Sequence, residues 1–252
     1  MRRIKSQILS NKRLSKELYL INFTSEKIEE DLLPGNFLHI LVSSSLDPFL
    51  RRPFSIFDIS EGTISVLYRV IGKGTYIMKD LRKGDEIDII GPLGNSYPID
   101  NSNNVYCIAG GTGIASIHFL IKYIKQNQTN KQITLCWGAK TIHEFILMNE
   151  FQSISDKITF STEDGSYGNE GLITDFLPIF KDNSVIYACG PDGMLHILKK
   201  KPIDLPMFFS VEKRMACGVG VCLGCAVKMN NDTYKYTCID GPVFNANELK
   251  YE

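Results

Sequence analysis

Cys217, Cys222, Cys225 and Cys238 set out a C-x4-C-x2-C-x12-C pattern near the end of the chain. Three thiolates from one tight loop and a fourth from further on is the ligand spacing of plant-type 2Fe–2S sites. Each iron takes two thiolates in tetrahedral geometry, so the loop has to gather sulfurs without its own side chains standing in the way. Gly218, Gly220 and Gly224 are interleaved with the candidate ligands. Glycine admits positive φ and close approach, which lets main-chain N–H groups point at negative sulfur. Such hydrogen bonds tune a cluster's reduction potential. Structural zinc also takes four thiolates, but its ligands commonly come as two C-x2-C knuckles, and only Cys222 and Cys225 form one. The spacing favours iron–sulfur and leaves zinc and unliganded thiols as alternatives. Cys107, Cys136 and Cys189 sit singly on apolar runs and read as buried strand residues. Seven cysteines, an odd count with no recognisable secretory signal, argue against a disulfide framework.

Two glycine-rich turns offer a different chemistry. Ala109-Gly110-Gly111-Thr112-Gly113-Ile114-Ala115 follows an apolar run and opens a helical one. N–H groups at a helix start bind phosphate, and glycine lets a pyrophosphate come close. The spacing is not G-x-G-x-x-G, so the standard dinucleotide fingerprint is not met, and a plain strand-to-helix turn explains this loop equally. Cys189-Gly190-Pro191-Asp192-Gly193-Met194 repeats the arrangement after VIYA. Ligands of open α/β sheets bind at the C-terminal ends of parallel strands. Together the turns make Gly110, Gly111, Thr112, Gly113, Cys189, Gly190, Pro191 and Asp192 the candidate nicotinamide-binding residues. Upstream, Arg52-Pro53-Phe54-Ser55 offers a guanidinium fork for a pyrophosphate and a hydroxyl for a flavin ring. Leu67-Tyr68-Arg69 and Gly72-Lys73-Gly74-Thr75 follow, with Gly74 and Thr75 at a predicted helix start. Taken singly these residues are ordinary. No nucleophile or acid–base pair stands out: His39, His118, His143 and His196 are scattered and read as packed or surface residues.

The elements that position these residues fall into three blocks. With 252 residues the chain has room for two domains and a short appendage. Up to residue 98, short apolar or alternating runs at 18–23, 37–42, 53–59, 63–70 and 85–91 are separated by turns such as Pro34-Gly35 and Lys83-Gly84. They predict an antiparallel β-barrel, interrupted by a helix over 75–81. The polar, breaker-rich stretch 95–104 marks a boundary. From 99 to 210, strands at 105–110, 133–138, 157–160, 185–190 and 207–212 alternate with helices at 113–126, 142–151, 171–180 and 191–200, which predicts an α/β domain with a parallel sheet. Residues 211–252 form a small cysteine-rich module with short strands at AVKM and KYTC. Apolar residues make up 44% and charged residues 22%, and 28 basic side chains balance 28 acidic ones. That balance gives no electrostatic footing for nucleic acid or an anionic membrane. No run reaches the roughly 18 apolar residues of a membrane span, and the N-terminus lacks the apolar core of a signal peptide. A cytoplasmic location is expected.

In order, RPFS, GKGT, GPLG (91–94), GGTGIA and CGPDGM resemble the ferredoxin–NADP reductase superfamily over about residues 5–200. The four-cysteine tail, preceded by EKRMA (212–216) and followed by DGPVF (240–244), extends the likeness to the electron-transfer subunits of class 1B dihydroorotate dehydrogenases. The resemblance implies an FAD-binding barrel with contacts at Arg52, Pro53, Phe54, Ser55, Leu67, Tyr68, Arg69, Gly74 and Thr75. It also implies a 2Fe–2S cluster on Cys217, Cys222, Cys225 and Cys238, and NAD as exchangeable substrate. Phe54 stands where related reductases often carry tyrosine, keeping an aromatic surface without the hydroxyl. The implied partner is an FMN-containing dihydroorotate dehydrogenase catalytic subunit, in a complex with two copies of each chain. Electrons would run from dihydroorotate through that FMN, the cluster and FAD to NAD⁺ in pyrimidine biosynthesis, with no general base needed in this chain. Two alternatives remain. One is the small subunit of an NADPH–ferredoxin or glutamate-synthase-like oxidoreductase, a group in which aspartate can replace one cluster cysteine. The other is a zinc-stabilised regulatory subunit with no redox role. Lys140, at the end of the second strand of the parallel sheet, leaves NAD against NADP open.

Overall fold

A computed structural model describes residues 1–25, 28–43, 45–128 and 130–251. The first unit holds β1 (Arg2–Arg13), β2 (Leu18–Thr24), β3 (Phe37–Leu41), β4 (Arg52–Ser55), β5 (Asp58–Ser60), β6 (Thr63–Arg69), a short helix α1 (Lys73–Met78) and β7 (Glu86–Leu93). The strands form one curled antiparallel sheet in the order β4-β3-β7-β1-β2-β6-β5. Its inner face buries Ile21, Phe23, Leu38, Ile40, Ile64, Val66, Ile87 and Ile89. The central strand β1 escapes the apolar pattern because only Ser6 and Ile8 in it are buried. Charge holds its outer face instead: Lys5 pairs with Glu86 at 2.6 Å and Arg3 with Asp88 at 2.6 Å across to β7. The apolar run 53–59 is broken at Ile56 and Phe57 into two strands on opposite edges of the sheet.

The second unit contains β8 (Asn104–Gly110), α2 (Ile114–Asn127), β9 (Gln132–Ala139), α3 (Met148–Ile154), β10 (Lys157–Thr162), β11 (Asn169–Glu170), β12 (Ser184–Cys189), α4 (Asp192–Lys200) and β13 (Met207–Ser210). These strands run parallel, in the order β11-β10-β9-β8-β12-β13. Alternate residues serve two cores. Cys107, Ala109, Leu135, Trp137 and Tyr187 pack with α2 on one face, and Ile108, Cys136, Ile186 and Ala188 pack with Leu195 and Leu198 of α4 on the other. The helix expected over 142–151 is split: Leu147 takes φ +52, leaving a 3-10 turn at Ile142–Glu144 and then α3. The helix expected over 171–180 is absent. Only the 3-10 turn Ile173–Asp175 forms, since Gly171 at φ +123 and Pro178 bracket too few residues for a longer one.

The tail adds a small hairpin, β14 (Ala226–Lys228) with β15 (Tyr234–Tyr236), and then β16 (Val243–Asn245), which joins the parallel sheet antiparallel to β13. It is also sewn to the linker: Asn95 Nδ2 donates to the carbonyls of Asp240 at 2.9 Å and Val243 at 2.8 Å, and Asn95 Oδ1 accepts from Val243 N–H at 2.9 Å. The two large units meet where Phe57 stacks on His118 at 4.0 Å and Lys122 of α2 pairs with Asp58 at 2.6 Å. Among the described residues no helix is long and apolar enough to cross a membrane.

Candidate functional site

Two clefts open side by side between the units, with Arg69, Thr112 and Glu212 lining both. The first, of about 470 Å³, is walled by Arg52, Pro53, Phe54, Ser55, Leu67, Tyr68, Arg69, Gly74 and Thr75, the whole candidate flavin set, and by Phe37, Lys73, Met215 and Pro242 from other parts of the chain. Arg52 is placed by donations from Nη1 to the carbonyls of Leu50 at 2.6 Å and Arg51 at 3.2 Å. Gly74 lies beneath it, since a Cβ there would stand 3.3 Å from Arg52 Nε. The Thr75 hydroxyl is occupied locally, accepting from Ile71 N–H at 3.0 Å and Gly72 N–H at 3.3 Å, so it shapes the turn. Phe54 packs edge-on to Tyr68 at 6.1 Å, and Tyr68 donates to Asn11 Oδ1 at 3.0 Å. The phenol is thus tied into the sheet and offers the cleft an aromatic wall.

The second cleft, of about 590 Å³, is lined by Gly110, Gly111, Thr112, Gly113, Gly190 and Pro191 of the two turns, with Lys140, Glu144 and Glu163 beyond them. The glycines divide in role. A Cβ at Gly113 would fall 2.2 Å from the Cys189 carbonyl oxygen, and one at Gly190 3.0 Å from Gly110 Cα, so these positions are demanded by the two turns packing on each other. Gly111, at φ +52, has nothing nearer such a Cβ than Glu144 Oε2 at 3.7 Å and is the position that faces open space. Cys189 is buried beneath the turns, and Asp192 starts α4 paired with Lys213 at 2.7 Å; neither lines the cleft. Glu212 lines both clefts and stands where they join.

In the tail the four thiols gather two and two. The Cys222 main-chain N–H donates to the Cys217 sulfur at 3.3 Å, and the Cys225 and Cys238 sulfurs lie 3.3 Å apart. Thr237 holds the second pair by donating from Oγ1 to the Cys225 carbonyl at 2.9 Å. Main-chain donors face sulfur: Val219 at 3.4 Å and Cys222 at 3.3 Å to Cys217, and Gly220 at 3.2 Å to Cys238. Gly218 and Gly220, at φ +72 and +78, make that turn possible. Burial opposes ionisation of Cys217, but these N–H groups outweigh it and draw the thiol down to about 6. Burial and the neighbouring Cys225 push Cys238 up to about 12. Among the described residues no three Cys, His, Asp or Glu side chains converge as one metal ion requires. Two pairs suit a two-iron cluster, which takes two thiolates per iron, better than a single zinc. Phe37, Leu93 and Met215 pack against Cys225 and Cys238, and Phe37 and Met215 also wall the first cleft.

Phe37, Glu144 and Glu163 carried no motif and were not singled out in the sequence, Lys140 entered only for the choice of nicotinamide, and Glu212 and Met215 entered only within EKRMA. Their placement depends on which strand ends and loops the topology makes adjacent.

A curled antiparallel sheet followed by a parallel sheet, with a cleft on each side of their junction, is the ferredoxin–NADP reductase architecture. Solved structures agree. The chain superposes on one from NADH-dependent reduced ferredoxin-NADP oxidoreductase with a TM-score of 0.87 at 28% identity, covering 97% of this chain and 89% of that one. It shares the fold of a Plasmodium falciparum ferredoxin-NADP⁺ reductase at a TM-score of 0.66 and 20% identity, over 79% and 91% of the two chains. Family models match residues 107–200 as an oxidoreductase NAD-binding domain and 212–250 as the iron-sulfur cluster binding domain of dihydroorotate dehydrogenase B. The chain is 34% identical to the dihydroorotate dehydrogenase B (NAD⁺) electron transfer subunit of Caldanaerobacter subterraneus subsp. tengcongensis over 99% of both chains. It is 32% identical to that of Bacillus caldolyticus over 96% of both. It belongs to the dihydroorotate dehydrogenase B electron transfer subunit family.

Proposed function

We propose that this chain carries electrons between an FMN-containing dihydroorotate dehydrogenase catalytic subunit and NAD⁺, using a bound FAD and a 2Fe–2S cluster, in a complex with two copies of each subunit. Bound flavin exchanges electrons in pairs with nicotinamide and singly with a cluster, so the protein's task is to hold and space the groups. The observation that carries the reading is the shared wall: Phe37 and Met215 line the first cleft and belong to the same packed cluster of side chains as Cys225 and Cys238. A flavin held in that cleft would have this packed cluster of side chains between it and irons held by those sulfurs. Arg52 is placed to meet a pyrophosphate, Phe54 and Tyr68 give the ring an aromatic wall, and the turn at Gly111 receives the nicotinamide cofactor's phosphates. Cys217 with Cys222, and Cys225 with Cys238, would each hold one iron of the cluster. Val221, Leu223 and Ile239, which are 79%, 51% and 52% exposed, form an apolar rim beside the cluster loop suited to the catalytic subunit. Glu163 beside Lys140 favours NAD, because a carboxylate accepts a ribose 2′-hydroxyl and repels a 2′-phosphate.

The likeness to the NADH-dependent ferredoxin-NADP oxidoreductase supports a second reading, as the small subunit of such an enzyme; four cysteines rather than three with an aspartate weigh against it. The deciding experiment purifies the chain with the FMN-dependent dihydroorotate dehydrogenase of the same organism. NAD⁺ reduction by dihydroorotate that requires both chains is expected. A complex that forms with full flavin and iron yet leaves NAD⁺ untouched would refute the assignment.

A further inference from the structure

His39 is 1% exposed, and alone among the described residues it has two buried side-chain polar atoms, Nδ1 and Nε2, without a hydrogen-bond partner. It lies on β3, where side chains alternate between faces. Leu38 and Ile40 enter the core of the curled sheet, whereas Phe37 points outward to the cysteine pair, and His39 shares its face. The tail loop covers that face: a Cβ on Gly218 would stand only 2.5 Å from His39 Nδ1, so the loop's backbone rests on the imidazole. The ring nitrogens are turned toward the main-chain carbonyls of Arg51 and Cys217 without reaching bonding geometry. An unpaired buried donor is destabilising, and a leucine here would avoid that loss. The orphaned nitrogens therefore point to a partner supplied when the loop closes on its cluster.

The chemistry of the loop identifies that partner. For the N–H groups of Val219 and Cys222 to face the Cys217 sulfur, the chain between them must present its donors inward. The Cys217 carbonyl immediately precedes Gly218, whose backbone rests on the imidazole, so His39 is at hand as its donor. We propose that His39 is a positioning residue for the cluster: its ring N–H takes the Cys217 carbonyl and holds the 217–222 turn so that main-chain donors stay aimed at the Cys217 sulfur. Reduction adds negative charge to the cluster, and those donors stabilise it. Loosening the turn therefore lowers the reduction potential.

This inference rests on the cluster reading above, and iron and sulfide content separates the two. The experiment is an EPR-monitored redox titration of the full-length protein loaded with FAD and cluster. His39→Leu is expected to shift the reduction equilibrium about tenfold against the reduced cluster, ~59 mV for one electron. His39→Gln, which keeps an N–H donor, should recover most of that shift, and the flavin potential should stay unchanged in both. A fully loaded His39→Leu protein with the wild-type potential overturns the proposal. So do equal shifts in the Leu and Gln variants, which would mean that volume matters and the N–H does not. Should the variants fail to load, wild-type protein labelled with 15N in its histidines decides the matter. A hydrogen-bonded imidazole N–H at His39, assigned against His118, His143 and His196 variants and moving on cluster reduction, supports the role, and its absence refutes it. Protein that binds no iron or sulfide at all overturns the cluster reading and this inference with it.

Discussion

Glu163 and Lys140 directly follow β10 and β9, adjacent parallel strands, and both line the second cleft, proposed to take the nicotinamide cofactor. Their charges oppose each other on the question of a 2′-phosphate. The carboxylate repels it and the ammonium attracts it, so the balance sets the choice between NAD and NADP. Glu163→Ala removes the repulsion and leaves Lys140 free to act. Diaphorase assays with NADH and NADPH should show kcat/KM for NADPH rising about tenfold, the ~1.4 kcal/mol typical of one charge contact, with a smaller loss for NADH. An unchanged ratio would place the adenosine ribose elsewhere. Asp88 poses a different single-residue question. It receives Arg3 at 2.6 Å and Arg51 at 2.7 Å, and Arg51 Nη1 also donates to the Asp88 carbonyl at 2.8 Å, anchoring the residue next to the candidate flavin arginine. Burial alone would raise the carboxyl, but the two guanidinium groups outweigh it and hold it below the usual range. A depressed folded value contributes stability above the unfolded pKa of about 3.9, and that contribution is lost as pH falls through the folded value. Asp88→Asn should therefore cost ~1–3 kcal/mol at neutral pH. The gap in thermal midpoint from the wild type should persist down to about pH 4 and close below it.

Asn95 is where a linker becomes part of the architecture. The polar run 95–104 reads as a plain boundary, yet the Asn95 side chain bonds Asp240 and Val243, and Gly94 at φ +73 lets the chain pass within contact of Pro242. Asn95→Ala leaves two carbonyls and one N–H unpaired in a half-buried seam, at ~1–3 kcal/mol for each group that water cannot reach. The loss falls on the strand that anchors the cysteine module, so hydrogen exchange at 237–245 should quicken and iron be lost to chelators sooner, while the parallel sheet keeps its protection. Elements with a regular apolar pattern were readable: α2 and α4, the parallel strands β8, β9, β10, β12 and β13 as continuous apolar runs, and most of the curled sheet, whereas the two-residue β11 was not. What the sequence concealed has local causes. β1 is held by cross-strand charges rather than by apolar residues, so it carries no alternating signal. The segment after Gly171 has helical composition but is bracketed by backbone breakers. β16 is three residues long and is defined only by the β13 edge it meets. The site follows the same division. Motif-bearing turns announced themselves, whereas Glu144 and Glu163 reach the second cleft, and His39 the cysteine loop, only through neighbours far away in sequence.

At the scale of the molecule the question is what keeps two clefts in register across two units. Arg69 ends β6 in the first unit, and Glu144 lies in the 3-10 turn after β9 in the second. They meet through two hydrogen bonds, at 2.6 and 3.2 Å, with Glu17 at 3.6 Å as a further carboxylate. The hydrogen bond to Glu144 raises Arg69 above its ordinary value, so the guanidinium stays charged. Both residues line the second cleft, which on the proposed reading accepts an anionic dinucleotide. A lone carboxylate there would repel the ligand, and a lone guanidinium would attract it, so the pair cancels locally while it joins the units. Arg69→Met leaves Glu144 partly buried and uncompensated beside the phosphate turn. The KM for NADH should rise about tenfold, ~1.4 kcal/mol, with little change in kcat. Glu144→Gln should hold the KM near or below that of the wild type. The double variant removes both charges and should recover most of the loss, giving a coupling energy of ~1 kcal/mol in a double-mutant cycle. FAD content measured on each protein separates this effect from a flavin-binding role of Arg69. Additive single effects at full flavin occupancy would mean that the two side chains act independently and that the register of the clefts is kept elsewhere, at Lys122 with Asp58 and the Phe57–His118 stack.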